Sequence, residues 1–87
     1  MTYRVEIRPS AQRDLARLPK NDRQRIGERI TSLAENPRPS GCVKLSGKAE
    51  LWRIRVGSYR ILYQIADEVL IVQVVQIGHR REVYRGI

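Results

Sequence analysis

Three arginines, Arg53, Arg55 and Arg60, occupy the stretch LWRIRVGSYRILYQI (51–65) at spacings that bring them together. Read with period two, Trp52, Ile54 and Val56 point one way, and Arg53 and Arg55 the other. After Gly57-Ser58 the alternation resumes, with Tyr59, Ile61, Tyr63 and Ile65 against Arg60, Leu62 and Gln64. A two-residue turn at Gly57-Ser58 suits type II′, which wants Gly at its first central position. That turn sets Val56 opposite Tyr59, Arg55 opposite Arg60, Ile54 opposite Ile61, Arg53 opposite Leu62 and Trp52 opposite Tyr63. Like charges directly across a hairpin destabilise it. One face therefore pairs well and the other opposes itself. Arginines on packed stems can arch over a sheet without any ligand. A cross-strand cluster is nevertheless what an RNA phosphate selects, because guanidinium groups offer forked donors, stay charged and stack on bases.

The final stretch GHRREVYRGI (78–87) adds groups of the same kind. Gly78 would let the chain turn, and the last strand would then deliver His79, Arg80, Arg81, Tyr84 and Arg85 near one end of the sheet. His79 is the single histidine of the chain, and its imidazole can accept a proton near neutral pH. Tyr84 can stack on a base, exchange a hydrogen bond through its hydroxyl, or sit in the core at a frayed end.

Several elements must position these groups. Tyr3, Val5 and Ile7 alternate with Arg4, Glu6 and Arg8, which predicts a half-buried strand ended by Pro9. Ser10 is the expected cap of a short helix with Ala11, Leu15 and Leu18 at helical spacing, stopped by Pro19. A second helix is expected from Asn21 or Asp22. Ile26, Ile30, Leu33 and Ala34 form its apolar stripe, and Arg23, Arg25 and Glu28 the opposite face. Gly27 weakens that helix and would allow close packing. Residues 37–50 read as a loop with Val43 and Leu45 as anchors to the core. Strands are expected over Leu51–Val56, Tyr59–Ala66 and Val69–Ile77, with a loop wider than two residues at Asp67-Glu68. The order β-α-α-β-β-β predicts an α+β domain spanning 1–87: a four-stranded antiparallel sheet with a two-helix hairpin on one face.

With 87 residues the chain is one small domain. Seventeen Lys+Arg against nine Asp+Glu give +8, a field that attracts polyanions or a tightly bound acidic protein. Cys42 is the single cysteine; it excludes an internal disulfide and suggests a reduced cytosolic thiol. No export signal is visible at the N-terminus, and the longest apolar run falls far short of the ~20 residues that span a bilayer. A soluble cytoplasmic protein with no membrane partner is expected.

The strings LWRIRVGSYRILYQI, VLIVQVVQIGHRREVY and RPSAQRDLARL resemble the RelE/ParE superfamily of bacterial toxin–antitoxin toxins, most closely the RelE branch. The resemblance covers nearly the whole chain in the same element order. It implies a type II toxin that enters the ribosomal A site of the 70S ribosome and cuts mRNA by attack of a ribose 2′-hydroxyl on the adjacent phosphate. No metal or other cofactor is implied. The family's functional positions fall on Arg53, Arg55, Arg60, Arg80 and Tyr84; of these Arg55, Arg60, Arg80 and Tyr84 are the expected catalytic residues, and Arg53, with the neighbouring His79 and Arg81, the expected RNA-binding ones. In well-studied relatives the positions of Arg53 and Arg55 are lysines. Arginine does not give up its proton, so Tyr84 and His79 are the candidates for the base. The resemblance also implies a cognate acidic antitoxin, with operator DNA contacted only through the toxin–antitoxin complex. The alternatives are a ParE-like DNA gyrase inhibitor on the same fold and a non-catalytic RNA-binding module.

Overall fold

A computed structural model describes residues 2–45 and 51–79. The elements in chain order are β1 (Arg4–Ile7), α1 (Pro9–Ala16), α2 (Lys20–Ser32), β2 (Val43–Lys44), β3 (Leu51–Val56), β4 (Tyr59–Ala66) and β5 (Ile71–His79). They form one five-stranded mixed sheet in the order β1-β5-β4-β3-β2, with both helices on one face.

The expected four-stranded antiparallel sheet is corrected in two ways. β1 pairs with β5 in parallel, Arg4 opposite Ile71 through Ile7 opposite Val74. The Arg4 N–H donates to Leu70 O and the Arg8 N–H to Val74 O. Alternation marks β1 as a strand but carries no information on its partner or direction. The clearer signal lay in β5. Its near-continuous apolar run (Ile71, Val72, Val74, Val75, Ile77) fits a strand with apolar neighbours on both faces of the sheet, Val72, Val74 and Ile77 against the helices and Val75 against Leu51 and Leu62, as a central strand has. The fifth strand, β2, pairs Val43 with Arg53 and Lys44 with Trp52. Two residues are too few to show a period.

Local punctuation also shifts. α1 starts at Pro9 with Arg8 at the N-cap, so Ser10 lies inside the helix. Proline suits a first helical position, where its missing N–H has no helical partner to lose. α2 likewise starts at Lys20 after Pro19, and Asp22 falls in its first turn, where a carboxylate favours the helix dipole. A β-carbon on Gly27 would meet nothing within 4 Å, so no element packs closely there. Residues 67–70 form the β4–β5 turn, with Leu70 at φ 56°. Val69, expected in the last strand, is exposed in that turn.

The main core lies between helices and sheet. Ala11, Ile26, Ile30 and Leu33 pack on Ile54, Val56, Ile61, Tyr63, Ile65, Val72, Val74 and Ile77. The expected stripe of α2 is thus the buried one, with Ala34 only half-buried. Tyr63 is fully buried and donates its hydroxyl to Pro37 O (2.8 Å), which pins the loop after α2. Burial holds its phenol well above the usual tyrosine range. Cys42 is a free, half-buried thiol against the same core. On the opposite face Leu51 and Leu62 form a smaller cluster with Leu45 and Val75. Val43 is 42% exposed and anchors nothing.

One irregularity decides what the sheet presents. Between β4 and β5 the register runs Ile61–Ile77 and Leu62–Gln76, then Tyr63–Val74, leaving Val75 as an extra residue. Such a bulge moves every side chain beyond it to the other face. Val72 and Val74 face the helices. Without the bulge Ile77 and His79 would face away; with it, Ile77 is buried against the helices.

Candidate functional site

The β3–β4 register is the one expected from the turn: Val56–Tyr59, Arg55–Arg60, Ile54–Ile61, Arg53–Leu62 and Trp52–Tyr63. Gly57 has φ 60°, while Ser58 has no positive φ, which agrees with a type II′ turn. Arg55 and Arg60 are therefore directly opposed, about 4.5–5.5 Å apart at their β-carbons for such a pair. Arg53 lies two residues along β3 on the same face, which no helix covers. Arg55 is exposed, and Arg53 and Arg60 are half-buried with their Nε atoms shielded from solvent. The latter two thus lie with their stems along the sheet, as long cationic side chains do over apolar neighbours such as Leu62. Gly78 stands opposite Arg60 and puts no side chain beside it.

Arg55, Gly57, Tyr59 and Arg60 line a depression of about 40 Å³ at the hairpin tip. That volume seats a single anionic group rather than a whole nucleotide, since small-ligand sites occupy roughly 300–1,000 Å³. Forked donors on two adjacent strands suit a phosphate oxygen pair. Among the described residues, no cluster of three His, Cys, Asp or Glu side chains is placed to hold a metal ion.

His79 is not beside this pair of arginines. β5 does not turn at Gly78 but runs on through His79, which pairs with Tyr59. The two rings meet edge to face, centroids 5.8 Å apart. The Tyr59 hydroxyl donates to Asp22 Oδ2 of α2 (3.2 Å), so both rings are on the helix side. Burial, and then the Asp22 carboxylate, raise the Tyr59 phenol above its usual range, keeping it a neutral donor. Arg80, Arg81 and Tyr84 lie outside the described residues.

Two functional neighbours escaped sequence reasoning. Arg25, expected among solvated residues, reaches the hairpin tip: its guanidinium lies 2.8 Å from the position a β-carbon on Gly57 would take. Asp22 accepts from Arg25 (3.1 Å) as well as from Tyr59, coupling α2 to the turn that carries the arginine pair. Asp22 and Arg25 are three apart on a helix, the one signal of this contact in the sequence.

A family model for the ParE toxin of the parDE type II toxin–antitoxin system matches residues 5–84, which takes in the arginine hairpin and Tyr84. The chain belongs to the RelE/ParE superfamily of type II toxins. Within the superfamily its similarities are RelE-like. Toxin RelG of Mycobacterium tuberculosis is 33% identical over 86 residues, covering 98% of this chain and 99% of its own. The mRNA interferase toxin RelE of Escherichia coli is 30% identical over 88 residues, covering 97% of this chain and 92% of its own. In the archaeal RelE–RelB complex from Pyrococcus horikoshii the matched chain superposes with a TM-score of 0.83 at 30% identity, over 95% of this chain and all of that one. The described residues thus place both helices on one face of the sheet and Arg53, Arg55 and Arg60 of the β3–β4 hairpin on the other.

Proposed function

We propose that this RelE-like toxin is an endoribonuclease that cuts messenger RNA in the ribosomal A site and so halts translation. The observation that carries the reading is Arg55 directly across from Arg60, with Arg53 on the same uncovered face. Forked cationic donors gathered on one uncovered face at the tip of a small domain suit an anionic ligand.

The chemistry needs three services. A group takes the proton of the 2′-hydroxyl, whose oxygen then bonds to the adjacent phosphorus. Cations balance the crowded phosphorane. The 5′-oxygen leaves with a proton, and a 2′,3′-cyclic phosphate remains. Arg55 and Arg60 hold the phosphate and its developing charge, and Arg53 contacts the neighbouring backbone. Arg80 stabilises or protonates the leaving oxygen, with Arg81 next to it in the chain. Tyr84 orients the nucleotide and takes the 2′ proton; the helix-side placement of His79 favours Tyr84 for this role. None of these is a strong base at neutral pH, so cleavage of free RNA is feeble. The ribosome supplies substrate geometry, an orientation effect that reaches about 7–11 kcal/mol in the best cases.

The partner is a cognate acidic antitoxin, which the RelE–RelB pairing of the archaeal relative and the +8 charge of this chain both support. Operator DNA is met only through that complex, and the work is done in the cytoplasm. No helix among the described residues is long and apolar enough to cross a membrane.

Primer extension on mRNA from ribosomes incubated with the toxin tests the reading. Cuts within codons are expected, lost in Arg60→Ala and Arg80→Ala and kept in Arg23→Ala. A second reading, inhibition of DNA gyrase, is favoured by the ParE description of the matching family model. Intact mRNA together with blocked supercoiling would establish it in place of the first.

A further inference from the structure

We propose that the cleft between α1 and the joined ends of β4 and β5 is a nucleotide subsite, which takes the nucleoside flanking the phosphate that is cut. This rests on the nuclease reading for the identity of its ligand. The cleft measures about 390 Å³ and is lined by Asp14, Arg17, Leu18, Tyr59, Ile77 and His79. That is within the size range of small-ligand sites.

Its chemistry is that of a nucleotide site. Tyr59 and His79 meet edge to face on one wall, with His79 exposed. Aromatic faces of this kind are where unstacked RNA bases lie. Leu18 and Ile77 complete the apolar surface. Arg17 is exposed and makes no ion pair among the described residues, so it is available to a phosphate. Asp14 is half-buried and receives the Ile77 N–H on Oδ2 (3.3 Å). Its Oδ1 has no donor among the described residues and can accept a base N–H or a ribose hydroxyl.

Continuity with the arginine pair gives the cleft its place on the strand. Tyr59 lines both this cleft and the depression shared by Arg55 and Arg60. Tyr59 is also the first residue of β4, at the hairpin tip, where the sheet ends. A chain with its phosphate on Arg55 and Arg60 therefore needs only to round that end for its next nucleoside to meet Tyr59 and His79. The Val75 bulge is what makes this possible, since it turns His79 to the helix side.

The probe is an RNA trinucleotide made 2′-deoxy at the cutting position, titrated into the whole chain and followed by NMR. Signals of Arg17, Tyr59 and His79 should shift together with those of Arg55 and Arg60. A trinucleotide lacking the flanking base should shift only the arginine pair. His79→Ala should weaken binding about 5-fold or more, the lower end of what one stacked base contributes, Arg17→Ala should weaken it and lower its salt dependence, and Arg23→Ala should do neither. Shifts confined to the arginine pair, shifts nowhere, or cleft shifts caused only by the acidic partner would each overturn the subsite. Primer extension on ribosomes judges the nuclease reading separately. Cutting without cleft shifts removes the subsite alone, and cleft shifts without cutting remove the nuclease reading and leave a nucleotide site.

Discussion

The guanidinium of Arg25 covers Gly57, 2.8 Å from where a β-carbon would stand, at a residue whose φ is 60°. Both features oppose any side chain there, but unequally. The contact is with the end of a flexible arginine, which can swing away. The backbone angle cannot be relieved so easily, and an L-residue held in a sparsely populated region costs about 1–3 kcal/mol. Gly57→Ala is therefore expected to lower stability by about that amount, or roughly 4–8 °C in Tm per kcal/mol for a domain of this size. Arg25→Ala in the same chain should rescue little of the loss. Thermal melts of the two single variants and the double variant give the coupling, and a large rescue would assign the cost to the contact instead.

The opposed pair Arg55–Arg60 predicts that stability and activity move in opposite directions. Arg55→Gln removes one of two like charges facing across the ladder, a gain of about 0.2–1 kcal/mol at low salt. Screening at 1 M salt, where the Debye length is about 3 Å, should erase most of that gain. Removing one donor aimed at a transition-state charge costs about 10²–10³ in rate. Melts at two salt concentrations beside mRNA cleavage on ribosomes test both halves. A variant that is destabilised at low salt would show that Arg55 serves the fold rather than a ligand.

Asp67 ties three segments together. It accepts from the Tyr3 hydroxyl (2.5 Å) and from both terminal nitrogens of Arg38 (3.2 and 2.8 Å). The Arg38 guanidinium also lies 5.1 Å from the Trp52 ring centroid. The Arg38 and then the Tyr3 hydrogen bonds hold the Asp67 carboxyl down from 3.8 to about 2. A carboxyl whose folded value is depressed stabilises the fold above its unfolded value and loses that contribution as pH falls. The difference in Tm between the natural chain and Asp67→Asn should be widest above about pH 5 and close between pH 4 and 2. A difference that does not change with pH would mean that the ion pair contributes nothing to folding.

The sequence showed most where one short-range rule dominates. Gly57-Ser58 selects a turn, and the turn selects every cross-strand pair from Trp52–Tyr63 to Val56–Tyr59, the arginine pair included. Ile26, Ile30 and Leu33 were legible because one helix period buries all three. What stayed hidden depends on long-range choices. Nothing within Arg4–Ile7 says that its neighbour is β5 or that the two run parallel. The Val75 bulge is invisible because Val74 and Val75 are equally apolar, yet it sends His79 to the face opposite the arginines. Arg25 looks like any solvated helix residue until the fold sets Gly57 within its reach.

Asp22 is the residue through which α2 holds the hairpin tip, and its removal should be felt locally before it is felt globally. Its carboxylate accepts from Arg25 and from the Tyr59 hydroxyl, and its side chain is 28% exposed. Asp22→Asn keeps the shape and one acceptor oxygen but removes the charge. Hydrogen bonds to a charged group contribute about 1.5–3 kcal/mol against about 0.5–1.5 for neutral ones, and partial exposure places this change toward the small end of that difference. Of the two contacts, the Tyr59 hydroxyl bond crosses from α2 to the hairpin, so the loss falls on the tip, whereas Tyr63 and Ile61 remain buried beneath it. Amide exchange at Val56, Ser58 and Tyr59 should therefore quicken several-fold while exchange at Ile61 and Tyr63 follows the small global change, since local opening needs less free energy than unfolding. Uniform quickening along β4 would show that the carboxylate supports the whole domain. No quickening at the tip would show that Gly57-Ser58 holds the hairpin without help from α2.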